Sequence, residues 1–514
     1  MRTISANILY FIGAGGIGMS ALARYFNLQG RRVAGYDLTR TRLTDSLQKE
    51  GIEITFEDDE KNIPARFLKP EAKQEALIVY TPAIPADNRI FQFFTTRGYN
   101  VVKRSRLLGE LVNDARGIAV AGTHGKTSVS ALTAHLLRNS AMGCNAFLGG
   151  LAKNFDSNLL VDVESDLVVA EADEYDRSFL QLFPEVAVIT SMDPDHLDVY
   201  GDFDHMKQAF VAFASQVKEG GTVIYREGLD FAKYLDGTRT ETGAGNGKPP
   251  GDAPGNERPH GESLGNGKPP ADAPGTVKKL KPGVKTLSYG IGSGADYSAV
   301  NIRITAEGFP VFDISAPGIT LEGLALGVAG RFNVENAVAA TAAAMVCGAD
   351  EQAIRKGLGS YRGLSRRFEM IINRPGCVLI DDYAHHPAEL DACISAVREI
   401  FPGREITGIF QPHLYSRTRD FANGFAESLE ALDQLILLDI YPARELPVPG
   451  VSSRLIFDRV ATERKIMCGR EELAGVLSER QTDVVVMMGA GNIDAMVEPV
   501  RNLLLNKCGG NEKA

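Results

Sequence analysis

Six consecutive residues, Gly122-Thr-His-Gly-Lys-Thr127, have the composition of a phosphate-binding turn. A short apolar run at 117–121 delivers them to the predicted start of a helix over 127–137. At such a junction backbone N–H groups point outward and the helix dipole favours an anion. Gly122, Thr123, His124 and Gly125 would form the cradle, Lys126 would reach the β- and γ-phosphates, and the Thr127 hydroxyl would bind Mg2+. The strict phosphate-loop spacing asks for a further glycine where Val120 stands, so the generic pattern is missed by one position. The plain alternative is a tight glycine turn with a surface lysine. A Lys-Thr pair at a helix start argues against it.

Carboxylates follow the next two apolar runs. Glu171-Ala-Asp-Glu174 comes after a predicted strand at 167–170, and Asp193-Pro-Asp195-His196-Leu-Asp198 after one at 186–190. Magnesium is a hard cation that takes oxygen ligands, so Glu171 beside a phosphate loop is a candidate ligand. His196, expected one strand over from Glu171, is a candidate second ligand or acid/base group. Each motif alone reads equally as a solvated polar turn. Gly13-Ala-Gly15-Gly16-Ile17-Gly18 fits G-x-G-x-x-G, with Asp37 ending the next apolar run. This pattern seats a pyrophosphate at a helix N-terminus, and nicotinamide cofactors are one class of molecule that carries one. Further on, Asp381-Asp382-Tyr-Ala-His385-His386-Pro387 and Gln411-Pro-His413-Leu-Tyr-Ser-Arg417 end two more apolar runs. Read as neighbouring clusters, they suggest a polar substrate site with carboxylate recognition.

The elements that must position these residues recur three times as strand, loop and helix. The first set has strands at 7–12, 32–36 and 76–80 and a helix at 19–28; the turn 81–83 begins with Thr81. The second starts near Gly117, and the third near Arg362, with strands at 377–380, 406–410, 434–438 and 484–488. Continuous apolar runs of this length fit central parallel strands. Ligands in such sheets gather at the C-terminal strand ends, where the polar motifs fall. The chain's 514 residues exceed one core, which points to about three domains.

Composition narrows the class. Hydrophobic residues make up 44% and charged residues 23%, as in a globular protein, and the net charge of −10 disfavours nucleic acid as a partner. Six scattered cysteines without a CxxC pair suggest free thiols in a reducing cytoplasm. No run approaches the ~20 apolar residues that span a bilayer, so no membrane insertion is expected. The stretch 240–275 holds two near-copies of Asn-Gly-Lys-Pro-Pro and is rich in Gly, Pro, Asn and Asp, the composition of a disordered surface insertion.

Taken in order, the motifs resemble the Mur ligases, and most closely the alanine-adding branch. Besides those above, Gly15-Gly-Ile-Gly-Met19-Ser20, Gly330-Arg-Phe-Asn333-Val-Glu-Asn336 and Ser365-Arg-Arg367-Phe368 carry the resemblance, which spans nearly the whole chain outside the insertion. It implies an α/β protein of three domains. Residues 1–115 would be a Rossmann-like domain binding a UDP-linked substrate, 116–361 a central P-loop-type ATP-binding domain, and 362–514 a Rossmann-like domain for the amino acid and nucleotide. The implied activity is ATP-dependent ligation of L-alanine to UDP-N-acetylmuramate through an acyl phosphate, by a cytoplasmic monomer or weak homodimer.

By resemblance Lys126 contacts the phosphates, and Thr127, Glu171 and His196 surround Mg2+. Asn333 and Asn336 approach the adenine, and Arg367 and Asp382 contact the nucleotide from the third domain. Gly15 to Ser20, Asp37 and Thr81 hold the UDP substrate, while His385, His413 and Arg417 line the substrate end. Lys126, His196, His385 and Arg367 would be catalytic. Ala384 stands where this branch commonly has glycine, and Tyr36 precedes Asp37 where serine is usual. A recycling ligase that attaches a tripeptide to the same sugar nucleotide is the nearest alternative. An NAD-dependent oxidoreductase built on 13–18 would leave 122–127 unexplained, as would a non-catalytic nucleotide-binding regulator leave the polar strand ends.

Deleting residues 240–275 is expected to leave turnover largely intact. A collapse in activity with circular dichroism and unfolding midpoint unchanged would assign the insertion a function.

Overall fold

The computed structural model describes residues 6–194, 197–229, 231, 279–292, 294–443 and 445–509. His196 and the 240–275 insertion therefore lie outside the described residues. The rest folds around three sheets. The first is wholly parallel, in the order Glu53–Thr55, Arg32–Tyr36, Ile8–Ile12, Ala76–Tyr80, Asn100–Lys103. Its order reverses at Ile8–Ile12, and the 13–18 loop leaves the end of that strand, the switch point where α/β sheets bind ligands. The strand reads Ile-Leu-Tyr-Phe-Ile and is buried throughout, as expected with helices on both faces.

Among the described residues the second sheet has ten strands. Its parallel centre runs Thr222–Arg226, Val186–Ile189, Arg116–Ala121, Leu167–Ala172. The strands Tyr297–Ile304, Pro310–Ala316 and Ile319–Ala325 extend one edge as an antiparallel meander, and Asn145–Ala152 pairs with Ser157–Leu160 at the other. Two helices, Lys126–Arg138 and Arg331–Val346, pack together on one face. The second reaches close approach because its buried residues include Ala337, Ala339, Ala340, Ala342, Ala343 and Ala344. The third sheet runs Glu369–Arg374, Cys377–Asp382, Val484–Met488, Ile406–Phe410, Gln434–Leu438, Lys465–Cys468, parallel except for its first strand.

Two expectations change here. Val186–Ile189 is not next to Leu167–Ala172; the two flank Arg116–Ala121, so the motifs they carry sit on either side of the glycine loop. Likewise Val484–Met488 separates Cys377–Asp382 from Ile406–Phe410, so the histidine clusters that end them are not on neighbouring strands. Apolar runs identify strands but carry no information on lateral order. Glu171, Asp381 and Asp382 also lie within their strands, because pairing with the neighbour continues through them.

The first and second sheets share one buried apolar cluster. The helix Ile17–Leu28 packs on Asn145–Ala152 and Ser157–Leu160, with the Tyr25 and Phe147 rings edge to face at 5.2 Å. Arg24, only 8% exposed, pins this contact through Glu50 at 2.8 Å and Asn158 Oδ1 at 2.7 Å. Asn158 Nδ2 in turn donates to Ile17 O and to Ser20 Oγ. Arg24→Ala takes a partner from the fully buried Asn158 and from the half-exposed Glu50. It should lower stability by roughly 1–3 kcal/mol, the cost of unsatisfied polar groups, read as a lower denaturation midpoint in urea. An unchanged midpoint would show that the contact is incidental.

Candidate functional site

The turn 122–125 joins the central strand Arg116–Ala121 to the helix Lys126–Arg138. Gly122 and Gly125 have φ of 141° and 82°, values that favour glycine. A Cβ on Gly122 would lie 2.1 Å from Thr190 Oγ1 and 2.8 Å from Ser191 N, so the neighbouring strand's end closes on the turn. Ser191 Oγ accepts from His124 N at 2.8 Å and pairs with Thr123 Oγ1 at 2.9 Å. Thr190 Oγ1 donates to Ala121 O at 3.2 Å and also to His124 O. Gly125 caps the helix without a side chain, leaving the first N–H groups without a side-chain acceptor. The result is a rigid, anion-accepting helix terminus.

Lys126 occupies the first helical position. Its Nζ donates to Gly122 O at 2.6 Å and to Glu174 Oε1 at 3.0 Å. Glu174 is 1% exposed, and its backbone carbonyl accepts from Tyr200 Oη at 2.6 Å. Burial acts to discharge the Lys126 ammonium, but Glu174, Asp173 and Glu171 outweigh it and raise its pKa. The lysine therefore stays cationic inside the cleft. The converse holds for Glu171 and Glu174: burial raises both carboxyls, and Lys126 pulls them back. Glu171 Oε1 accepts from Gly149 N at 2.7 Å, and the Thr127 hydroxyl bonds to the same carboxylate.

Thr127 and Glu171 thus offer adjoining hard oxygens, the donor type Mg2+ selects. Among the described residues no three His, Cys, Asp or Glu side chains form a metal cage. The set fits a cation that keeps water and phosphate oxygens as its remaining ligands.

On the other side of the helix, a narrow cleft is lined by Ser128, Val328, Asn333, Asn336, Leu364 and Arg367, which brings the predicted adenine residues beside Arg367. Asn333 Nδ2 donates to Ala329 O at 2.7 Å, and its Oδ1 accepts from Asn336 at 3.2 Å. Arg367 stacks over the Tyr383 ring at 5.1 Å. Arg366 and Phe368, which flank it, hold positive φ of 62° and 47°, local strain of the kind found at functional sites. Asp382 accepts from Phe368 N at 2.6 Å and Ala384 N at 2.7 Å. Burial pushes its carboxyl up to about 6, against the opposing pull of Arg367. Asp382 therefore braces the turn that presents Arg367.

The predicted substrate end also assembles. His385 Nδ1 sits between Tyr383 O at 3.0 Å and Glu389 Oε2 at 3.1 Å. Two acceptors on Nδ1 fix its proton there and leave the Nε2 lone pair available. The His413 ring is 6.0 Å from that of His385 and stacks on Tyr441. Burial, reinforced by the Arg417 cation, lowers His413 to about 4, so it is neutral near pH 7. Arg417 Nη1 lies 3.3 Å from His413 Nδ1, which assigns the ring proton to Nε2.

In the first sheet, Asp37 Oδ2 accepts from Gly15 N at 2.8 Å, and Oδ1 accepts from Thr39 N at 3.0 Å. Asp37 therefore holds the loop's shape. Thr81 closes over Gly13, where a Cβ would lie 2.8 Å from its methyl. Met19 and Ser20 are buried, Ser20 being bonded to Asn158. The open part of the loop is thus the backbone and small residues at 15–18. Arg104 lies over Gly18 and reaches Asp173 Oδ2 at 3.5 Å.

Sequence reasoning passed over Glu174, Glu389 and Arg104. Glu174 closes the run that begins at Glu171, and Glu389 lies one helical turn after His385, so both carried a local signal. Arg104 carried none.

The family model described as "Mur ligase family, catalytic domain" matches residues 8–116, "Mur ligase middle domain" matches 120–244 and 270–344, and "Mur ligase, glutamate ligase domain" matches 366–491. The UDP-N-acetylmuramate–L-alanine ligase of Parabacteroides distasonis is 45% identical over 96% of this chain and 97% of its own. That of Porphyromonas gingivalis strain W83 is 47% identical over 97% and 99%. In fold, the chain matches the UDP-N-acetylmuramate-alanine ligase of Thermotoga maritima with a TM-score of 0.74 at 23% identity, covering 96% of this chain and 98% of that one. A murein peptide ligase from Psychrobacter arcticus gives a TM-score of 0.64 at 17% identity, covering 97% and 99%. With such identity over nearly the full length of its relatives, the chain belongs to the Mur ligase family.

Proposed function

We propose that the chain joins L-alanine to the lactyl carboxylate of UDP-N-acetylmuramate at the expense of ATP, a step of peptidoglycan synthesis carried out in the cytoplasm. The observation that carries this reading is the buried Lys126 ammonium at an open helix terminus beside Thr127 and Glu171. The names of relatives 45–47% identical support the choice of substrates. Among the described residues no helix is long and apolar enough to cross a membrane. We assign the three domains to 1–115, 116–361 and 362–514, with hinges near Ala115 and Tyr361.

In this reading the 15–18 loop seats the diphosphate of the sugar nucleotide, with Asp37 and Thr81 shaping it. ATP lies along 122–127 with its base toward Asn333 and Asn336. The lactyl carboxylate attacks the γ-phosphorus, ADP leaves, and an acyl phosphate forms. Lys126 and Arg367 neutralise the charge on the transferring group, a contribution made by preorganised cations. Mg2+, held by Thr127, Glu171 and His196, would supply further charge neutralisation. The uncharged amine of alanine then attacks the acyl carbon and phosphate departs. His385 Nε2 takes the amine proton, and the Glu389 carboxylate stabilises the imidazolium that results. Arg417, beside neutral His413, supplies a fixed cation for the alanine carboxylate. Water would hydrolyse the acyl phosphate, so closure of the domains precedes chemistry.

Phosphate release should require both UDP-N-acetylmuramate and L-alanine. Release supported by a murein tripeptide and not by alanine would move the chain to the recycling activity. Lys126→Ala should retain the sugar nucleotide, measured by calorimetry, while turnover falls by at least ~10²-fold, as when a transition-state charge partner is removed. Near-normal turnover would refute the phosphate role. His385→Asn should lower kcat by about 10²–10⁴-fold, the range of a lost general base, with nucleotide affinity preserved. A change confined to KM would dismiss His385 as the base.

A further inference from the structure

Glu389 does more than its local surroundings require. It lies in the first turn of the helix Pro387–Ile400, where its Oε2 accepts from His385 N at 2.9 Å. That bond alone would make it an ordinary helix cap. Its other oxygen, Oε1, lies 3.7 Å from Nδ1 of His124, a residue of the phosphate loop on a different sheet. The separation is that of an ion pair. On its far side the His124 ring is 3.8 Å from Asp193 Oδ2, so one imidazole sits between two carboxylates from different sheets. The His124 backbone cannot yield, because its N–H and its carbonyl are both engaged by Ser191 and Thr190. Burial opposes a charge on this ring, and the nearby Lys126 adds to that, yet Glu389 and Asp193 prevail and raise its pKa. Glu389 responds in kind: burial opposes its charge, but His124 and His385 hold its carboxyl well below the usual range. The His386 ring, 6.5 Å from that of His124, completes the group facing the pair.

We propose that Glu389 is a positioning residue that ties the phosphate loop to the amine-accepting end of the site, one carboxylate oxygen orienting His385 and the other reaching His124 across the boundary between the second and third sheets. The role given to His385 rests on the ligase reading above; the tie itself rests on geometry. Seating of a triphosphate on the rigid loop then fixes His124. His124 draws Glu389, and Glu389 carries His385 into register with the acyl carbon. A carboxylate with only a capping role would have no reason to depend on His124.

A double-mutant cycle tests this. Glu389→Gln keeps an acceptor oxygen for the His385 N–H and removes the charge; His124→Gln removes the other partner. Affinity for a non-hydrolysable ATP analogue and kcat for phosphate release are both measured. Each single variant should weaken analogue binding and lower kcat by about three- to tenfold, the size of coupling between residues in contact. The double variant should be no worse than the more impaired single. Glu389→Asp should recover part of kcat, and all variants should keep the wild-type unfolding midpoint within a few degrees. Losses that multiply in the double variant, or a Glu389→Gln enzyme with unchanged kcat and affinity, would overturn the tie. A wild-type chain that binds the analogue but joins no alanine would instead sink the choice of substrates, and the binding cycle would still report on the tie.

Discussion

A cationic lysine buried at an open helix terminus is the constraint from which the rest of this structure follows. Lys126 begins a helix whose first N–H groups have no side-chain cap, so two sources of positive potential point into one cleft. Left alone, such an arrangement would be costly, since an unpaired buried charge is strongly destabilising. Glu174 compensates it at 2.9 Å, with Glu171 and Asp173 adding to the field. The same balance keeps the site ready for a triphosphate, whose charge exceeds that of one carboxylate and can compete for the ammonium. Burial makes every term larger, because the effective dielectric falls.

Glycine geometry enforces that arrangement. The space a Cβ would need at Gly122 is filled by Thr190 and the Ser191 backbone, and the space at Gly149 by the Glu171 carboxylate. The loop, the neighbouring strand's end and the carboxylate-bearing strand are thereby held within bonding distance of each other. Preorganisation of this kind is what allows charge to be stabilised in a transition state without reorganisation at the moment of reaction.

The three sheets contribute in different ways. The first and second share an apolar cluster and the Arg24 network, which makes their contact a packed one. The third meets the second near the phosphate loop through polar groups, among them His124 with Glu389 and the residues around Arg367, and through a smaller apolar contact of Ala329 and Phe332 with Phe368. A contact that is largely polar suits the domain closure proposed above, whereas a continuous core would resist it. Among the described non-glycine residues with positive φ, Arg366 and Phe368 flank Arg367, and Leu414 follows His413, while others such as Asp156 and Asn301 lie elsewhere. The strain they hold falls next to the groups that would touch substrate.

By itself the sequence determined most of the central strands and the polar turns that end them, though not Thr222–Arg226. Buried parallel strands must read as unbroken apolar runs, and a tight turn at a helix start shows in its glycines, so the strands at 7–12 and 117–121 and the turn at 122–127 were legible without coordinates. Lys126, Thr127, Glu171, Asn333, Asn336 and Arg367 could be named as candidates because the motifs that carry them are local. Lateral order was not, since an apolar run does not name its neighbour: the separation of Cys377–Asp382 from Ile406–Phe410 by the last strand of the chain emerged only in three dimensions. Tertiary structure also decided which residues near a motif face the loops and which pack elsewhere. Ser20, inside a recognised motif, is spent on Asn158, whereas Arg104, outside every motif, lies over the glycine loop. The antiparallel meander at 297–325 was missed because its half-exposed strands interleave polar with apolar residues, form no continuous apolar run and lack a chemical signature. The pairing of Glu389 with His124, 265 residues apart in sequence, needed the second and third sheets to meet, and contacts of that kind have no periodicity to betray them.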